Sequence, residues 1–485
     1  MRTRPDQDSH AHQRTIPLQD KSPRRHASPI PEELYKPWKL PPRQAYVFVN
    51  INVVDTIAGK ILPGRIVRIE DGQITSITPP SDLPTTDTPQ TLHQADPKDE
   101  AIYINSAGKY LSPGLIDAHV HMTSVPGTAD LQSAMATPAA VSALRQPFQC
   151  KAMLERGYTS ARDCGGASLA LKEAIAEGVF PGPRLFIAGH ALSQTGGHGD
   201  RRGAHEDDDI EGSACAGELG GLSVVVDGVP EVLRAARTQL RRGADFIKLM
   251  AGGGVASPTD RLGGVQFTAD EMRAAAEAAD AAGTFATAHA YTPRAIRRAV
   301  EGGVRGVEHG NFIDGETARY MADNGVYLTP TLVTYQAMAD PKYAAFLPGG
   351  NQEKNKQVLE QGLKSVKIAH DAGVRMCLGS DLLSFLGVEQ LKEFGLRAQV
   401  LGSEEVLRHA TVNPARMLGQ EERLGQVKEG FVADLLVLNS NPLEDITIFE
   451  KPEKHLLGVI KEGRVYASRW SKLPVDVEPR KTLLE

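Results

Sequence analysis

The stretch LSPGLIDAHVHM, residues 111–122, raises the question of why two histidines stand one residue apart at the end of an apolar run. Side chains alternate between the two faces of a β-strand, so a strand over Leu115–His121 would turn His119 and His121 to the same side. Two imidazoles that converge on one volume could hold a metal ion. Because a His-x-His strand also occurs in proteins without a metal site, the rest of the sequence is needed to decide whether this chain binds a metal.

The composition limits the classes of function. A chain of 485 residues is long enough for a large core and an accessory unit. Its hydrophobic content of 41% and charged content of 24% are typical of soluble globular proteins. A net charge of -6 and a pI near 6.2 give no reason to expect nucleic acid or a membrane as a partner. No apolar run approaches the roughly 20 residues that a membrane-spanning helix needs.

The N-terminal segment differs from the rest of the chain. Residues 1–44 are polar, charged and rich in proline, which predicts a disordered or loosely docked extension. They lack the apolar h-region of a secretory signal, so we expect a cytoplasmic protein. The cysteines have no Cys-x-x-Cys spacing, which argues against a disulfide framework or a cysteine zinc site; they are Cys150, Cys164, Cys215 and Cys377.

Strand-rich sequence stands near both ends of the chain. RIVRIEDGQITSITP, residues 65–79, predicts a hairpin around Asp71-Gly72, and LLGVIKEGRVYAS, residues 456–468, predicts another around Glu462-Gly463. GFVADLLVLNSNP, residues 430–442, is a further strand candidate. We therefore predict one small β-sandwich domain that residues 45–112 and 420–470 build together, followed by a C-terminal tail over residues 471–485.

The middle of the chain, residues 113–419, alternates buried-looking strands with helical stretches. Thr268-x-x-Glu271 is a capping box and Thr292-Pro293 is a second helix start. This alternation indicates parallel strands with helical crossovers, and eight units of this size predict an α/β fold, a (β/α)8 TIM barrel. The eight predicted strands are Leu115–Val120, Tyr158–Arg162, Arg184–Ala188, Ala244–Met250, Thr284–Ala288, Val304–Glu308, Val326–Thr331 and Val374–Gly379.

Ionisable residues stand at or near the carboxyl ends of five of these strands, where TIM barrels carry their chemistry. A buried lysine within a strand is costly unless its charge is paired or removed. Each residue alone has an ordinary structural explanation, as a core histidine, a snorkelling lysine or a helix N-cap. Their combination at one end of one predicted barrel favours a metal site; the six residues are His119, His121, Lys248, His289, His309 and Asp381.

The chain resembles the metal-dependent amidohydrolase superfamily from PGLIDAHVH, residues 113–121, to the GxxxxGFVADLLVL segment at residues 425–438. GHALSQTGGHGD, residues 189–200, and RRGADFIKLMAGGGVAS, residues 241–257, are similar to the subgroup of fungal ochratoxinase and bacterial Xaa-Pro and Xaa-Arg dipeptidases. The resemblance covers everything except the N-terminal tail. It implies a (β/α)8 barrel beside a small β-sandwich, in agreement with the pattern of strands and helices.

The resemblance also implies a binuclear centre of two divalent metal ions, usually Zn²⁺. One ion would be held by His119, His121 and Asp381, and the other by His289 and His309. A carbamate formed from CO2 on Lys248 would bridge the two ions and would remove the buried ammonium. Asp381 would be the catalytic residue that takes a proton from the attacking water and returns it to the leaving amine.

Substrate recognition is less visible in the sequence. The polar, glycine-rich segment 193–221 follows the third predicted strand, and loops at that end of a barrel set specificity. His198, Tyr291 and Arg261 are the candidate substrate-binding residues. The resemblance implies a small-molecule amide or dipeptide, such as an ochratoxin A-like N-acyl-phenylalanine, that releases its C-terminal amino acid. It also implies a homo-oligomer.

Two other functions are considered. A cyclic-amide hydrolase or deaminase would use the same barrel, but deaminases of the superfamily typically keep an acid a few residues beyond the third histidine. Here the sequence after His289 is AYTPRA, and Lys248 is present. A non-catalytic scaffold normally loses ligands, whereas this chain keeps six.

Overall fold

The computed structural model describes residues 30–79, 99–203, 205, 221–257 and 259–477. The described residues divide into two units, one up to Lys39 and one from Leu40 onward. In the first unit the described residues form one short helix, α1 (Glu32–Tyr35), and Lys39 Nζ donates to Glu32 Oε2 at 2.6 Å. Most of the predicted extension and of the 471–485 tail, and Cys215, lie outside the described residues.

The described residues contain strands at both ends of the chain and alternating strands and helices between them. The strands are β1 (Tyr46–Asp55), β2 (Lys60–Glu70), β3 (Gln73–Thr78), β4 (Ile102–Asn105), β5 (Tyr110–Pro113), β6 (Leu115–Val120), β7 (Tyr158–Asp163), β8 (Arg184–Ile187), β9 (Ala191–Ser193), β10 (Ser223–Val225), β11 (Ile247–Met250), β12 (Ala286–Ala290), β13 (Gly306–His309), β14 (Tyr327–Thr329), β15 (Leu435–Leu438), β16 (Leu456–Lys461) and β17 (Arg464–Ser468).

The helices lie mainly between the central strands. After α1 they are α2 (Leu131–Met135), α3 (Ala139–Glu155), α4 (Leu169–Ala176), α5 (Val229–Arg241), α6 (Ala269–Ala281), α7 (Pro293–Glu301), α8 (Gly315–Asp323), α9 (Leu332–Ala339), α10 (Gly349–Asp371), α11 (Lys392–Ala398), α12 (Ser403–His409), α13 (Val412–Met417) and α14 (Pro452–His455). The predicted capping box at Thr268 and Glu271 starts α6, and Thr292 caps α7. No helix among the described residues is long and apolar enough to cross a membrane.

Strands from both ends of the chain share one sheet. Its order is β17-β16-β15-β5-β1-β2-β3, and β4 also pairs with β1. The two predicted hairpins are β2–β3 and β16–β17. The first turn is sharp because Asp71 and Gly72 both adopt left-handed backbone angles, with φ of 48° and 82°. The strands belong to a single sheet, and the division into a separate β-sandwich domain remains a prediction.

This sheet is apolar on both faces. Leu435 and Val437 of β15 pack into a cluster with β1 and β2, whereas Leu436 and Leu438 pack into the large core of the central strands and helices. The alternation follows from the two-residue period of a strand. The sheet is therefore fixed directly against the layer that carries the candidate site.

The central strands form two parallel sheets, β6-β7-β8 and β10-β9-β11-β12-β13-β14. On one side a backbone hydrogen bond joins them directly, since Asp245 N, just before β11, donates to Ile187 O of β8 at 2.7 Å. On the other side Ala118 N of β6 donates to Leu378 O at 2.8 Å, and Leu378 belongs to the segment that bridges to β14. Seven predicted strands overlap observed ones. The eighth, Val374–Gly379, makes only a parallel bridge between Leu328 and Met376. The fold is TIM-barrel-like, and a closed eight-stranded barrel remains a prediction.

Candidate active site

The predicted ligands gather where the parallel central strands end. His119 lies in β6, Lys248 in β11, His289 in β12 and His309 at the end of β13. The register of β11, β12 and β13 pairs Met250 with His289 and Ala290 with His309. Neighbouring parallel strands present their carboxyl ends at one edge, so these side chains come together.

His119, His121 and Asp381 form the tightest group. Oδ1 of Asp381 lies 3.4 Å from His119 Nε2 and 3.2 Å from His121 Nε2. One ligand atom from each of the three residues falls within 4.8 Å of the others. Nitrogen and carboxylate oxygen donors at this spacing are suited to a zinc-like ion.

The Nδ1 atoms of His119 and His121 each have a hydrogen-bond acceptor. His119 Nδ1 donates to Glu308 Oε2 at 3.0 Å, and His121 Nδ1 donates to Gly165 O at 2.8 Å. These bonds place the proton on Nδ1 and leave the lone pair of each Nε2 facing Asp381. A hydrogen bond behind a histidine orients it as a metal ligand in this way.

His289 and His309 complete a group of four histidines. Their ring centroids are 4.4 Å apart, and the His309 ring is 5.1 Å from the His119 ring. His289 Nε2 donates to Gly253 O at 3.1 Å, which leaves its Nδ1 free for a ligand. His309 Nδ1 is hydrogen-bonded to Thr331 Oγ1 at 2.7 Å and Tyr335 OH at 2.9 Å.

Lys248 is buried among these side chains, with a relative exposure of 1%. No hydrogen bond or ion pair of its ammonium occurs within the described ranges. The charge of Lys248 contributes, after burial, to the lowered pKa values of His289 and His309. A buried ammonium without a described partner is unfavourable beside four histidines. The carbamate on Lys248 that the family resemblance implies stays a prediction.

The pKa values of the two histidines of the His-x-His pair are shifted in opposite directions. Burial, reinforced by the Lys248 charge, lowers the pKa of His119 to about 4. Burial also disfavours protonation of His121, but the hydrogen bond and charge of Asp381 outweigh it and raise that pKa. Burial disfavours ionisation of Asp381, yet the two histidines hold its pKa at about 2, so the carboxylate is ionised at neutral pH.

Asp117 is a supporting residue that the sequence analysis missed. Its Oδ1 accepts the backbone N–H of His119 and of Ser380, both at 3.0 Å. Its Oδ2 accepts Ser380 Oγ at 2.6 Å and Gln390 Nε2 at 2.7 Å. One carboxylate thus ties the His119 strand to the residue before Asp381. An acid inside the apolar run of β6 was the available signal.

Arg162 and Glu308 are a further pair of supporting residues that the sequence analysis missed. Both are fully buried, and Arg162 Nη2 donates to Glu308 Oε2 at 2.6 Å. The same oxygen accepts His119 Nδ1, so the pair supports that ring. The only sequence signals were an arginine within a buried strand and an acid directly before His309.

The three predicted substrate-binding residues have different surroundings. The His198 ring stacks on His289, with centroids 4.2 Å apart, and the Tyr291 ring lies 4.9 Å from that of His289. Tyr291 OH is hydrogen-bonded to Tyr335 OH at 2.8 Å, which adds Tyr335 to the site. Arg261 lies on an exposed turn, and its side chain makes no hydrogen bond or ion pair with any described residue. Its role remains a prediction.

Comparison with known proteins identifies the family. The Amidohydrolase family model matches residues 110–466. Ochratoxinase of Aspergillus niger is 33% identical over 364 residues, covering 73% of this chain and 75% of that protein. A prolidase crystallised with N-methylphosphonate-L-proline is 39% identical, with a TM-score of 0.81, over 88% of this chain and 100% of that one. A Xaa-Pro dipeptidase structure with bound methionine is 27% identical, with a TM-score of 0.75, over 88% and 100%.

The chain belongs to the amidohydrolase family, whose members share this TIM-barrel-like fold and a metal-dependent site. Within that family it falls in the subgroup that is similar to ochratoxinase and the prolidases. It is accordingly a hydrolase that acts on amide or peptide bonds.

Proposed function

We propose that this protein is a binuclear metal-dependent amidohydrolase that cleaves the amide bond to a C-terminal amino acid. The observation that carries the proposal is the gathering of four histidines, Asp381 and an unpaired buried lysine at one end of the central strands. In a purely structural core, the nitrogen atoms of these side chains that face one another would be left without partners. Two divalent ions, in contrast, need such a set of nitrogen and oxygen donors.

The donor set fits two ions. His119, His121 and Asp381 would hold one, because both Nε2 atoms face the carboxylate. His289 and His309 would hold the other. Lys248, converted by CO2 to a carbamate, would supply an oxygen to each ion and lose its unpaired charge. Zn²⁺ is the expected ion, although imidazole and carboxylate donors also accept other divalent metals.

Ions held there would supply Lewis-acid polarisation of the scissile carbonyl and activation of water near neutral pH. The chain's own contribution is proton transfer and positioning. Because Asp381 is ionised at neutral pH, its carboxylate can take a proton from the attacking water and return it to the leaving amine. Tyr291 and His198 flank His289 and would contact the substrate.

The proposed substrates are small amides in which an acyl group is attached to an amino acid. The relatives support this class: one is named ochratoxinase, another is a Xaa-Pro dipeptidase, and a third binds N-methylphosphonate-L-proline. A closed (β/α)8 barrel, a β-sandwich domain, a cytoplasmic location and a homo-oligomer belong to the same proposal.

The test is hydrolysis by the full-length protein after metal removal and after reloading with Zn²⁺. The panel contains an N-acyl-phenylalanine, a Xaa-Pro dipeptide, ochratoxin A, a cyclic amide and an aminopurine. We expect free amino acid from at least one of the first three, only in the metal-loaded protein. Hydrolysis of the cyclic amide alone, or ammonia release from the aminopurine alone, would instead support the alternative function.

A further inference from the structure

The loop that follows β11 presents a group of oxygen atoms to one lysine of α10. Lys354 Nζ donates to Gly254 O at 3.2 Å, Ser257 O at 3.1 Å and Asp260 O at 2.7 Å, and it lies 3.4 Å from Asp260 Oδ1. Ser257 Oγ is hydrogen-bonded to Asp260 Oδ1 and lies 3.4 Å from Gly254 O. An ammonium has no lone pair and can only donate. The oxygens around Lys354 Nζ therefore form a cation site, which we call the oxygen cage.

Lys354 is also the cationic partner of a buried carboxylate. The side chain of Asp260 is 4% exposed, and Lys354 is the only lysine or arginine that pairs with it among the described residues. His198 Nδ1 is farther away, at 3.8 Å from Asp260 Oδ2, and is hydrogen-bonded to Ser257 Oγ at 2.9 Å. Removal of the cation from a buried ion pair is strongly destabilising. We therefore expect the position of Asp260 to depend on a cation in the oxygen cage.

One peptide group connects Asp260 to the proposed metal ligand His289. The peptide between Gly253 and Gly254 is planar, so its C=O and its N–H point in opposite directions. Its N–H donates to Asp260 Oδ2 at 3.0 Å, and its C=O accepts His289 Nε2 at 3.1 Å. Rotation of this peptide would break both bonds together. The carboxylate of Asp260 thus holds the carbonyl that orients the His289 ring.

We propose that the Lys354 ammonium is the structural cation of this loop, and that Lys354, acting through Asp260, is a positioning residue for His289. The oxygen cage should also accept a small primary ammonium ion, because that ion has the same N–H donors. The Lys354 side chain is 20% exposed, which gives a dissolved ion a path to the cage. The role of His289 as a metal ligand rests on the proposed function, whereas the oxygen cage does not.

Lys354→Ala tests the oxygen cage by chemical rescue. The substitution removes Cγ, Cδ, Cε and Nζ, which are the heavy atoms of n-propylammonium. Alanine favours a helix, so α10 itself should persist. Lys354→Met removes the charge but keeps a side chain of similar length, which leaves no room for an added amine. Lys356→Ala, at an exposed lysine of the same helix, is the matched control.

The first measurement is thermal unfolding of the full-length protein in zinc-containing buffer, with n-propylammonium chloride or tetramethylammonium chloride added. Tetramethylammonium carries the same charge but has no N–H to donate. K354A should have a lower Tm than wild type, and n-propylammonium alone should raise that Tm in a saturable way. The Tm of K354M and of K356A should not respond. An equal response of K354A to both salts, or a K354A protein with the Tm of wild type, would overturn the oxygen cage.

Zinc affinity tests the positioning of His289. In chelator-competition titrations, both Lys354 variants should bind one of the zinc ions about tenfold to a hundredfold more weakly than wild type. n-Propylammonium should restore this affinity in K354A and not in K354M. An unchanged zinc affinity in both variants would overturn the positioning role. If wild type binds no zinc, the proposed function fails, and the Tm response of K354A still decides the oxygen cage.

Discussion

Asp381 takes part in both functions proposed for the site, metal binding and proton transfer. Its Oδ1 contacts both rings of the His-x-His pair, and its backbone has a positive φ of 50° that an ordinary residue avoids. The backbone N–H of Asp381 donates to His119 O at 2.8 Å, which holds that conformation. Such local strain, fixed by neighbouring contacts, is consistent with a functional rather than a packing role.

The first prediction concerns Asp381→Asn. The change keeps the size of the side chain but removes its ability to take a proton, so kcat should fall by about 10²–10⁴-fold. Steady-state hydrolysis of the best substrate, together with metal analysis, measures the effect. D371N is the control with the same chemical change at an exposed position. Retention of wild-type kcat in a folded D381N protein would remove Asp381 from the mechanism.

At the scale of elements, the glycine-rich turn after β11 can be tested by a matched pair. A Cβ at Gly254 would lie 2.0 Å from His198 Cε1, whereas a Cβ at Gly263, in the same loop, would meet nothing within 4 Å. We expect G254A to lower kcat/KM by about tenfold to a hundredfold through displacement of His198. G263A should leave kcat/KM near wild type. Equal effects of the two changes would show that the fit around His198 does not matter.

The helix pair α11–α12 carries a pH-sensitive contact among residues that are not proposed metal ligands. Arg397 Nη1 donates to His409 Nδ1 at 3.0 Å, and His409 Nε2 donates to Glu405 Oε1 at 3.1 Å. This arrangement requires a neutral ring. Burial, helped by the Arg397 charge, holds the pKa of His409 at about 4, below its usual value near 6.5.

A lowered histidine pKa stabilises the fold above the unfolded-state pKa, and this stabilisation is lost as the pH falls. His409 should contribute of order 3 kcal/mol above about pH 6.5, and this contribution should decrease as the pH falls to about 4. In H409N, where Asn can still accept from Arg397, the free energy of unfolding should depend less on pH between these values. Urea titrations of wild type, H409N and the control H205N, a change at an exposed histidine, test this. Identical pH slopes in wild type and H409N would contradict it.

At the scale of the whole molecule, the terminal sheet and the central strands depend on each other. β16 pairs with β15, and Leu436, Leu438 and Leu456 pack into the same core as the central helices. A chain ending at residue 455 loses β16 and β17 and should no longer unfold cooperatively, whereas a chain ending at residue 477 should. Thermal unfolding followed by circular dichroism makes the comparison. An unchanged Tm in the shorter chain would mean that the terminal sheet does not stabilise the central strands.

Much of the fold and candidate site could be predicted because the signals are local. Two-residue alternation, the turns at Asp71-Gly72 and Glu462-Gly463 and the helix caps predicted the hairpins and the central strands. The strand ends brought His119, His289 and His309 together. The eighth predicted strand, residues 374–379, makes only the bridge between Leu328 and Met376, because the apolar run does not reveal how many ladder bonds a segment will form. Asp117 and Glu308 were missed because their roles depend on contacts made only in the folded chain.

The central claim, a binuclear centre bridged by Lys248, is tested most directly by anomalous X-ray diffraction at the zinc edge from crystals of the zinc-loaded protein. The account predicts two metal peaks among His119, His121, His289, His309 and Asp381, with continuous density from Lys248 Nζ to a carbamate between them. A single peak with an unmodified lysine, in protein that is fully loaded and active, would contradict it.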